Sequence, residues 1–211
     1  MTWMRDRILK TAGLLAAAAL LSGFTGCRVH VDKGANGQDK NVQVDTPFGG
    51  VHVNTDQTTA SDLGLPAYPG AQIVRDKENA KSADVHMGFG EWELRVKAVS
   101  YSTPDSQDKV QTFYKQALGR YGDVIVCDKN TSVGKPTATS DGLTCDDHGK
   151  KRSGIEVGES KHDVDGFQLK AGSERHQHIV GFESPVDGQT RFSLVAIDLP
   201  SGKDGSSGQK D

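Results

Sequence analysis

The sequence lacks the motifs that mark the commonest catalytic sites. It has no G-x-S-x-G nucleophile elbow, no H-E-x-x-H zinc motif, no Walker phosphate loop and no dinucleotide-binding glycine fingerprint. It also lacks a dense Lys/Arg stripe, because its longest basic run is the three residues 150–152, in a loop-like stretch. Nucleic-acid binding needs many convergent basic groups. We therefore expect no catalytic activity, no cofactor and no nucleic-acid partner.

Hydrophobic residues are also scarce. They make up 35% of the 211 residues, and the chain carries a formal net charge of −3. An average domain is about 45–50% apolar by a count that includes glycine, and the 25 glycines here explain part of the difference. This length suggests one domain. The sequence therefore predicts a modest core with polar stretches beside it.

The chain has no apolar run long enough to be a transmembrane helix. Its longest run, Thr11 to Leu21, follows a start that carries Arg5, Arg7 and Lys10. A bilayer-spanning helix needs about 20 apolar residues. A basic start, a short apolar run and small residues after it are typical of a secretory signal peptide.

The end of this signal resembles the bacterial lipobox, in which a small residue precedes a cysteine that is lipidated and becomes the new N-terminus. The residues are Phe24-Thr25-Gly26-Cys27. Gly26 and Cys27 match the pattern, whereas the family usually has Leu in place of Phe24 and Ser or Ala in place of Thr25. The resemblance implies that residues 1–26 are removed and that Cys27 anchors an exported lipoprotein to the membrane. The alternatives are ordinary secretion and a retained N-terminal anchor.

The residue after the cysteine bears on localisation. In similar Gram-negative lipoproteins, a residue other than Asp at this position favours the outer membrane. Arg28 stands there, so the resemblance implies the periplasmic side of the outer membrane rather than the inner membrane.

The cysteine count is compatible with a lipid anchor. There are three cysteines, so lipidation of Cys27 leaves Cys127 and Cys145 as a pair. Exported proteins retain disulfides, and closing this polar loop would add about 3 kcal/mol of stability. A metal-binding pair would have closer spacing and histidine ligands, and a redox pair would usually be C-x-x-C. We therefore predict a disulfide.

Composition divides the mature chain into three parts. Residues 27–62 read as a polar tether with a small β-hairpin around residues 41–54, residues 63–200 as a compact α+β domain, and residues 201–211 as a disordered tail. The hairpin would have to dock on the domain or stay mobile, because an isolated hairpin is marginally stable.

The compact domain is predicted to be an antiparallel sheet of about five to seven strands with one long amphipathic helix packed on one face. The helix is predicted over about residues 104–121, because apolar residues recur there at helical spacing and Pro104 suits its first position. In the clearest strand, 91–101, Trp92 and Leu94 lie on the face expected to be buried. The other expected strands are 83–90, 124–127, 155–158, 166–170, 176–183 and 190–199.

His176 and His178 are the weak candidates for a metal site. On a strand these positions point to the same side, but two ligands are too few, and they read more simply as residues at the rim of the core. The residues that might complete a metal site are Asp146, Asp147, His148, His162 and Asp163. The first three, beside Cys145, could alternatively form an acid–base site, but they read more simply as a polar loop held by the disulfide.

Residues 63–71 (LGLPAYPGA) and 102–115 (STPDSQDKVQTFYK) resemble a group of uncharacterised bacterial exported proteins. Their pattern is G-L-P-x-Y-P-G-A, a strand, a T-P-D-S-x-x-K-V-x-x-F-Y helix and another strand. The resemblance covers about residues 63–127 and implies a fold but no activity. We expect a membrane-anchored, non-catalytic binding or envelope-support module with an envelope protein as partner. A metal or small-ligand binding protein using His176/His178 or the sheet face, and an enzyme of unrecognised type, are the alternatives.

Overall fold

The structure, a computed structural model, describes residues 27–33, 39–55, 57–74, 82–145 and 166–200. Within these ranges the chain forms eleven β-strands and one α-helix. The strands are β1 (Arg28–Lys33), β2 (Asp39–Thr46), β3 (Gly49–Thr55), β4 (Gln72–Ile73), β5 (Ser82–Phe89), β6 (Trp92–Thr103), β7 (Val124–Asp128), β8 (Thr131–Ser132), β9 (Phe167–Gly172), β10 (His176–Phe182) and β11 (Thr190–Asp198), and the helix is α1 (Gln107–Leu118).

All the strands belong to one antiparallel sheet. Its order is β1-β2-β3-β5-β6-β11-β10-β9-β7-β8, and the short β4 pairs with the far end of β6. The hairpin β2–β3 docks on the rest of the molecule, because β3 pairs with β5 along its whole length. One continuous sheet therefore joins the N-terminal strands to the core.

The core lies on one side of the sheet, under α1. Val110, Tyr114 and Leu118 recur at helical spacing and are fully buried, in one cluster with residues of strands β6 and β9–β11. Phe192 is at the centre, with ring contacts to Tyr101 and Tyr114. The sheet residues of this cluster are Val99, Tyr101, Leu169, Ala171, Val180, Phe182, Phe192 and Leu194.

The predicted fold class is wrong. The described chain is mostly antiparallel sheet with eleven strands, not an α+β domain of five to seven strands with a long helix at residues 104–121. The helix begins only at Gln107 because Asp105 has other partners: the hydroxyls of Tyr68 and Thr190 donate to its side chain and its carbonyl. After Leu118 the chain tightens into a single 3-10 turn, Gly119–Tyr121.

The N-terminal polar segment also differs from the prediction. Residues 28–33, expected to be part of a tether without regular structure, form β1 and pair with β2 from Arg28↔Asp45 onward. Val29 and Val31 alternate with polar residues, which is the two-residue period of a β-strand. The strand expected at 155–158 lies outside the described residues.

Residues 58–71, which we call the proline-glycine segment, cover one edge of the core. All four tyrosines of the chain fasten this segment. The Ala60 N–H donates to Tyr101 Oη at 3.1 Å, Tyr114 donates to the Pro66 carbonyl at 3.2 Å, and Tyr121 donates to the Gly64 carbonyl at 2.7 Å. Tyr68, within the segment, donates to Asp105 at 2.9 Å. The motif of the exported-protein resemblance therefore has a structural role.

The opposite side of the sheet carries a second, smaller cluster at the β7 end. The loop after β8 folds back so that Leu143 and Cys145 cover Ile125 and Cys127. Cys127 and Cys145 form a disulfide with their Cα atoms 5.5 Å apart, in agreement with the pairing expected from the sequence. The disulfide fastens this loop to the sheet.

Candidate functional site

Cys27 is exposed and its thiol is free, directly before the first residue of β1. The register Arg28↔Asp45 brings it to the end of the sheet where β2 turns into β3. In the described part of the chain it is the one cysteine outside the disulfide. This accessibility is compatible with a lipidation site.

Strands β1, β2, β3, β5 and β6 form an N-terminal extension of the sheet beyond the core. Their registers align two rows of apolar side chains on the side opposite α1. One row is Val29, Val44, Val51, Met87 and Leu94, and the other is Val31, Val42, Val53, Val85 and Val96. We call these ten side chains the valine face.

The valine face is not covered by any described part of the chain. Neither of the two buried clusters includes one of its residues. Eight of the ten are half-buried, shielded by their neighbours on the sheet, whereas Val29 is 62% and Val31 is 40% exposed at the β1 edge. Core positions such as Val99 and Leu194 are at most 1% exposed. This contiguous apolar surface is a candidate interaction site.

The structure also corrects the expected burial of β6. The face with Trp92 and Leu94 was expected to be the buried one, but both residues are only half-buried. The buried positions are Val99, Tyr101 and Thr103, on the other face of the strand. Alternation identifies an apolar face, but it does not show which face another layer covers.

Aromatic residues gather where the valine face reaches the Cys27 end of the sheet. Phe48 in the β2–β3 turn is 80% exposed, and Phe89 at the end of β5 is 46% exposed. Phe89 pairs with Trp92 across the β5–β6 turn, with ring centroids 6.0 Å apart. We call Phe48, Phe89 and Trp92 the aromatic tips.

The other side of the N-terminal strands is polar, with a row of His30, Gln43, His52, His86 and Arg95 across it. Each histidine lies 3.0–3.2 Å from a carboxylate oxygen, in the pairs His30–Asp32, His52–Asp45 and His86–Glu93. These pairs are largely exposed, so each contributes little to stability. This polar face is suited to contact with water or with a polar partner.

His176 and His178 share a face of β10, as the sequence predicts, but they have different partners. His176 is exposed and its Nδ1 lies 2.8 Å from Asp198. His178 is half-buried and stacks on Tyr121, with ring centroids 3.6 Å apart. Burial lowers the pKa of His178, so its neutral form is favoured. The pair is part of the rim of the core.

The other candidate residues, Asp146, Asp147, His148, His162 and Asp163, lie outside the described residues. Within the described ranges, no group of three or more His, Cys, Asp or Glu side chains is placed to hold a metal ion. None of the described helices is long and apolar enough to span a bilayer.

Sequence reasoning missed the valine face and the aromatic tips. The alternation of β2, β3 and β6 was visible, but β1 was interpreted as a tether, so its two valines were not added to the pattern. The long-range register between β3 and β5 has no local signal in the sequence. Placing the strand at 83–90 between the hairpin at 41–54 and the strand at 91–101 would have revealed the continuous face.

Comparison with known proteins gives no relative for this arrangement: no protein-family model, no curated protein and no solved structure matches the chain.

Proposed function

We propose that this protein is an exported lipoprotein, anchored through lipid on Cys27 at the periplasmic side of a bacterial membrane, preferably the outer membrane. It acts there as a non-catalytic module that binds an envelope protein or supports the envelope. The observation that carries the proposal is the exposed, unpaired Cys27 directly before β1, while Cys127 and Cys145 are joined. The lipobox-like sequence before Cys27 supplies the processing signal.

The architecture supports a module held close to the membrane. Because β1 begins at Arg28, an anchor on Cys27 has no flexible spacer and holds the edge of the sheet at the lipid surface. Two or more acyl chains provide the two signals that stable anchoring takes. The polar face then presents His52, His86 and Arg95 to the periplasm.

Fractionation of cells that express the full-length precursor tests the anchor. The wild-type protein should sediment with membranes and be released by detergent but not by high salt, and Cys27→Ser should move it to the soluble fraction. The matched control, Cys127→Ser/Cys145→Ser, also removes sulfur but should stay with membranes. Equal membrane retention of the Cys27→Ser variant would contradict the proposal.

The absence of catalysis is tested separately. The purified mature protein should not turn over a broad panel of ester, peptide, phosphate and glycoside substrates. Turnover that a single substitution on the polar face abolishes, such as His52→Ala, would show that the module is an enzyme.

A further inference from the structure

The end of the sheet next to Cys27 brings three features together. Cys27 precedes Arg28, which pairs with Asp45, so it lies beside the β2–β3 turn. The same sheet end contains the β5–β6 turn, because Gly49 pairs with Phe89. The potential anchor, both turns and the aromatic tips therefore share one end of the molecule.

The direction of β1 relates the anchor to one face of the sheet. Side chains alternate along a strand, and Val29 and Val31 lie on the valine face. The same alternation, continued back from Val29 by two residues, assigns Cys27 to that side. Acyl chains on Cys27 would then extend from the side of the valine face, whereas the polar face lies on the other side of the sheet.

The aromatic tips have the chemistry of a membrane interface. Aromatic side chains, and tryptophan above all, are enriched at the level of the lipid headgroups. Phe48 is 80% exposed and Phe89 is 46% exposed, and water is a poor solvent for both. Placing these rings in the headgroup region removes apolar surface from water, which is favourable.

The size of the apolar surface favours a bilayer over a second copy of the chain. Five strands about 4.8 Å apart with two rows of side chains give a patch of roughly 20 Å by 10–15 Å, or about 200–300 Å². A stable protein–protein interface buries about 800 Å² per partner. A small patch next to a covalent anchor needs little affinity of its own, because the anchor supplies a high effective concentration.

By sequence, the internal segments outside the described ranges offer few apolar side chains to match the valine face. The longest, residues 146–165, is rich in charged residues and contains only Ile155, Val157 and Val164 as aliphatic side chains larger than alanine. Such a sequence offers too little apolar surface to match ten apolar side chains.

We propose that the valine face and the aromatic tips rest on the lipid surface beside the Cys27 anchor, at the boundary between headgroups and acyl chains. The inference rests on the proposed function, since it uses the lipid on Cys27 to position the sheet. It adds a second contact with the membrane, through the folded module itself, and it fixes the orientation of the polar face toward the periplasm.

Trp92 reports this contact directly. The sequence has two tryptophans, Trp3 and Trp92, and Trp3 is removed with residues 1–26 in the processed protein. The lipidated mature protein is reconstituted in vesicles of phosphatidylethanolamine and phosphatidylglycerol, with or without bromine atoms on the acyl chains. We expect Trp92 emission to shift to the blue and to fall about two-fold with brominated lipid, since interfacial side chains reach about 5–10 Å into this boundary.

Two variants with the same added charge provide the matched comparison. Val51→Asp/Val53→Asp places two carboxylates on the valine face, and His52→Asp/Asn54→Asp places them on the polar face of the same strand. Quenching should be lost in the first variant and retained in the second, with circular dichroism confirming that both fold. If either variant fails to fold, the wild-type quenching measurement still decides the proposal.

Vesicle flotation separates failure of this inference from failure of the anchor. Protein that floats with vesicles but shows equal Trp92 emission with and without bromine would overturn the inference and leave the anchor intact. Unquenched, blue-shifted emission together with a crosslinked dimer would overturn it in favour of a second copy on the valine face. Mature protein that carries no lipid and does not float would contradict the anchor and this inference together.

Discussion

Replacement of Tyr101 by phenylalanine tests how the proline-glycine segment is fastened to the core. Tyr101 is 5% exposed, and its Oη accepts a hydrogen bond of 3.1 Å from the Ala60 N–H, on a residue that is 1% exposed. Phenylalanine keeps the stacked contact with Phe192 but leaves this backbone N–H buried without a partner. An unsatisfied buried donor costs about 1–3 kcal/mol, so the free energy of unfolding should fall by that amount.

The matched control is Tyr121→Phe. Tyr121 also donates to the segment, at the Gly64 carbonyl, but Arg120 Nη1 donates to the same oxygen at 3.0 Å. The carbonyl therefore keeps a partner, and the loss should be about 1 kcal/mol or less. We expect the two variants to differ even though each loses one hydroxyl.

Urea unfolding followed by circular dichroism measures both losses, on residues 27–211 carrying Cys27→Ser. Tyr101→Phe should lower the midpoint without changing the slope, and it should lower Tm by about 2–4 °C for each kcal/mol lost. Equal losses in the two variants, or a loss below about 0.5 kcal/mol for Tyr101→Phe, would refute the reasoning that burial of the Ala60 N–H sets the cost.

Three further predictions concern the disulfide, pH and the core. Reduction of Cys127–Cys145, or its replacement by two alanines, should lower the free energy of unfolding by about 3 kcal/mol in urea unfolding; an unchanged midpoint would contradict this. Because burial lowers the pKa of His178, the unfolded chain binds the proton more readily, and stability should fall as pH drops below about 6.5. In the His178→Phe variant, the free energy of unfolding should fall less between pH 7.5 and 5 than in the wild-type protein. An equal pH dependence in both proteins would refute the assignment of this effect to His178. Leu118→Ala, at a fully buried position, should cost about 2–5 kcal/mol in thermal unfolding, and a loss below 1 kcal/mol would show that the helix is not packed as described.

Local patterns predicted individual elements well. The alternation in residues 91–101 corresponds to β6, and the stripe of Val110, Tyr114 and Leu118 is the buried side of α1. Both patterns reflect local periodicity, which the backbone geometry imposes directly. The disulfide was predictable because only one pair is left once Cys27 is set aside.

Features that depend on distant residues were not predictable in the same way. The helix begins late because Asp105 accepts hydrogen bonds from Tyr68 and Thr190, which are remote in sequence. The burial of β6 reverses along the strand, because the core and the proline-glycine segment cover only the half that contains Val99 and Tyr101. The strand β1 was missed because its six residues are mostly polar. Its two valines are recognisable as part of an apolar face only when β1 is paired with β2.

The candidate site likewise has a part that local sequence predicts and a part that depends on distant residues. Cys27 was predicted as a lipidation site from residues next to it in the chain, whereas the valine face depends on the register of five strands. His176 and His178 were placed correctly on one face, but the sequence could not show that Asp198 and Tyr121 are their partners.

Mass spectrometry of the N-terminus tests the central claim most directly. The protein is extracted from membranes of the expressing bacterium and cleaved before Asp32, so that the N-terminal peptide is Cys27–Val31. The account predicts a peptide that begins at Cys27 and carries the added mass of two or three acyl chains. A peptide with unmodified Cys27, or a longer one that still contains Gly26, would contradict it.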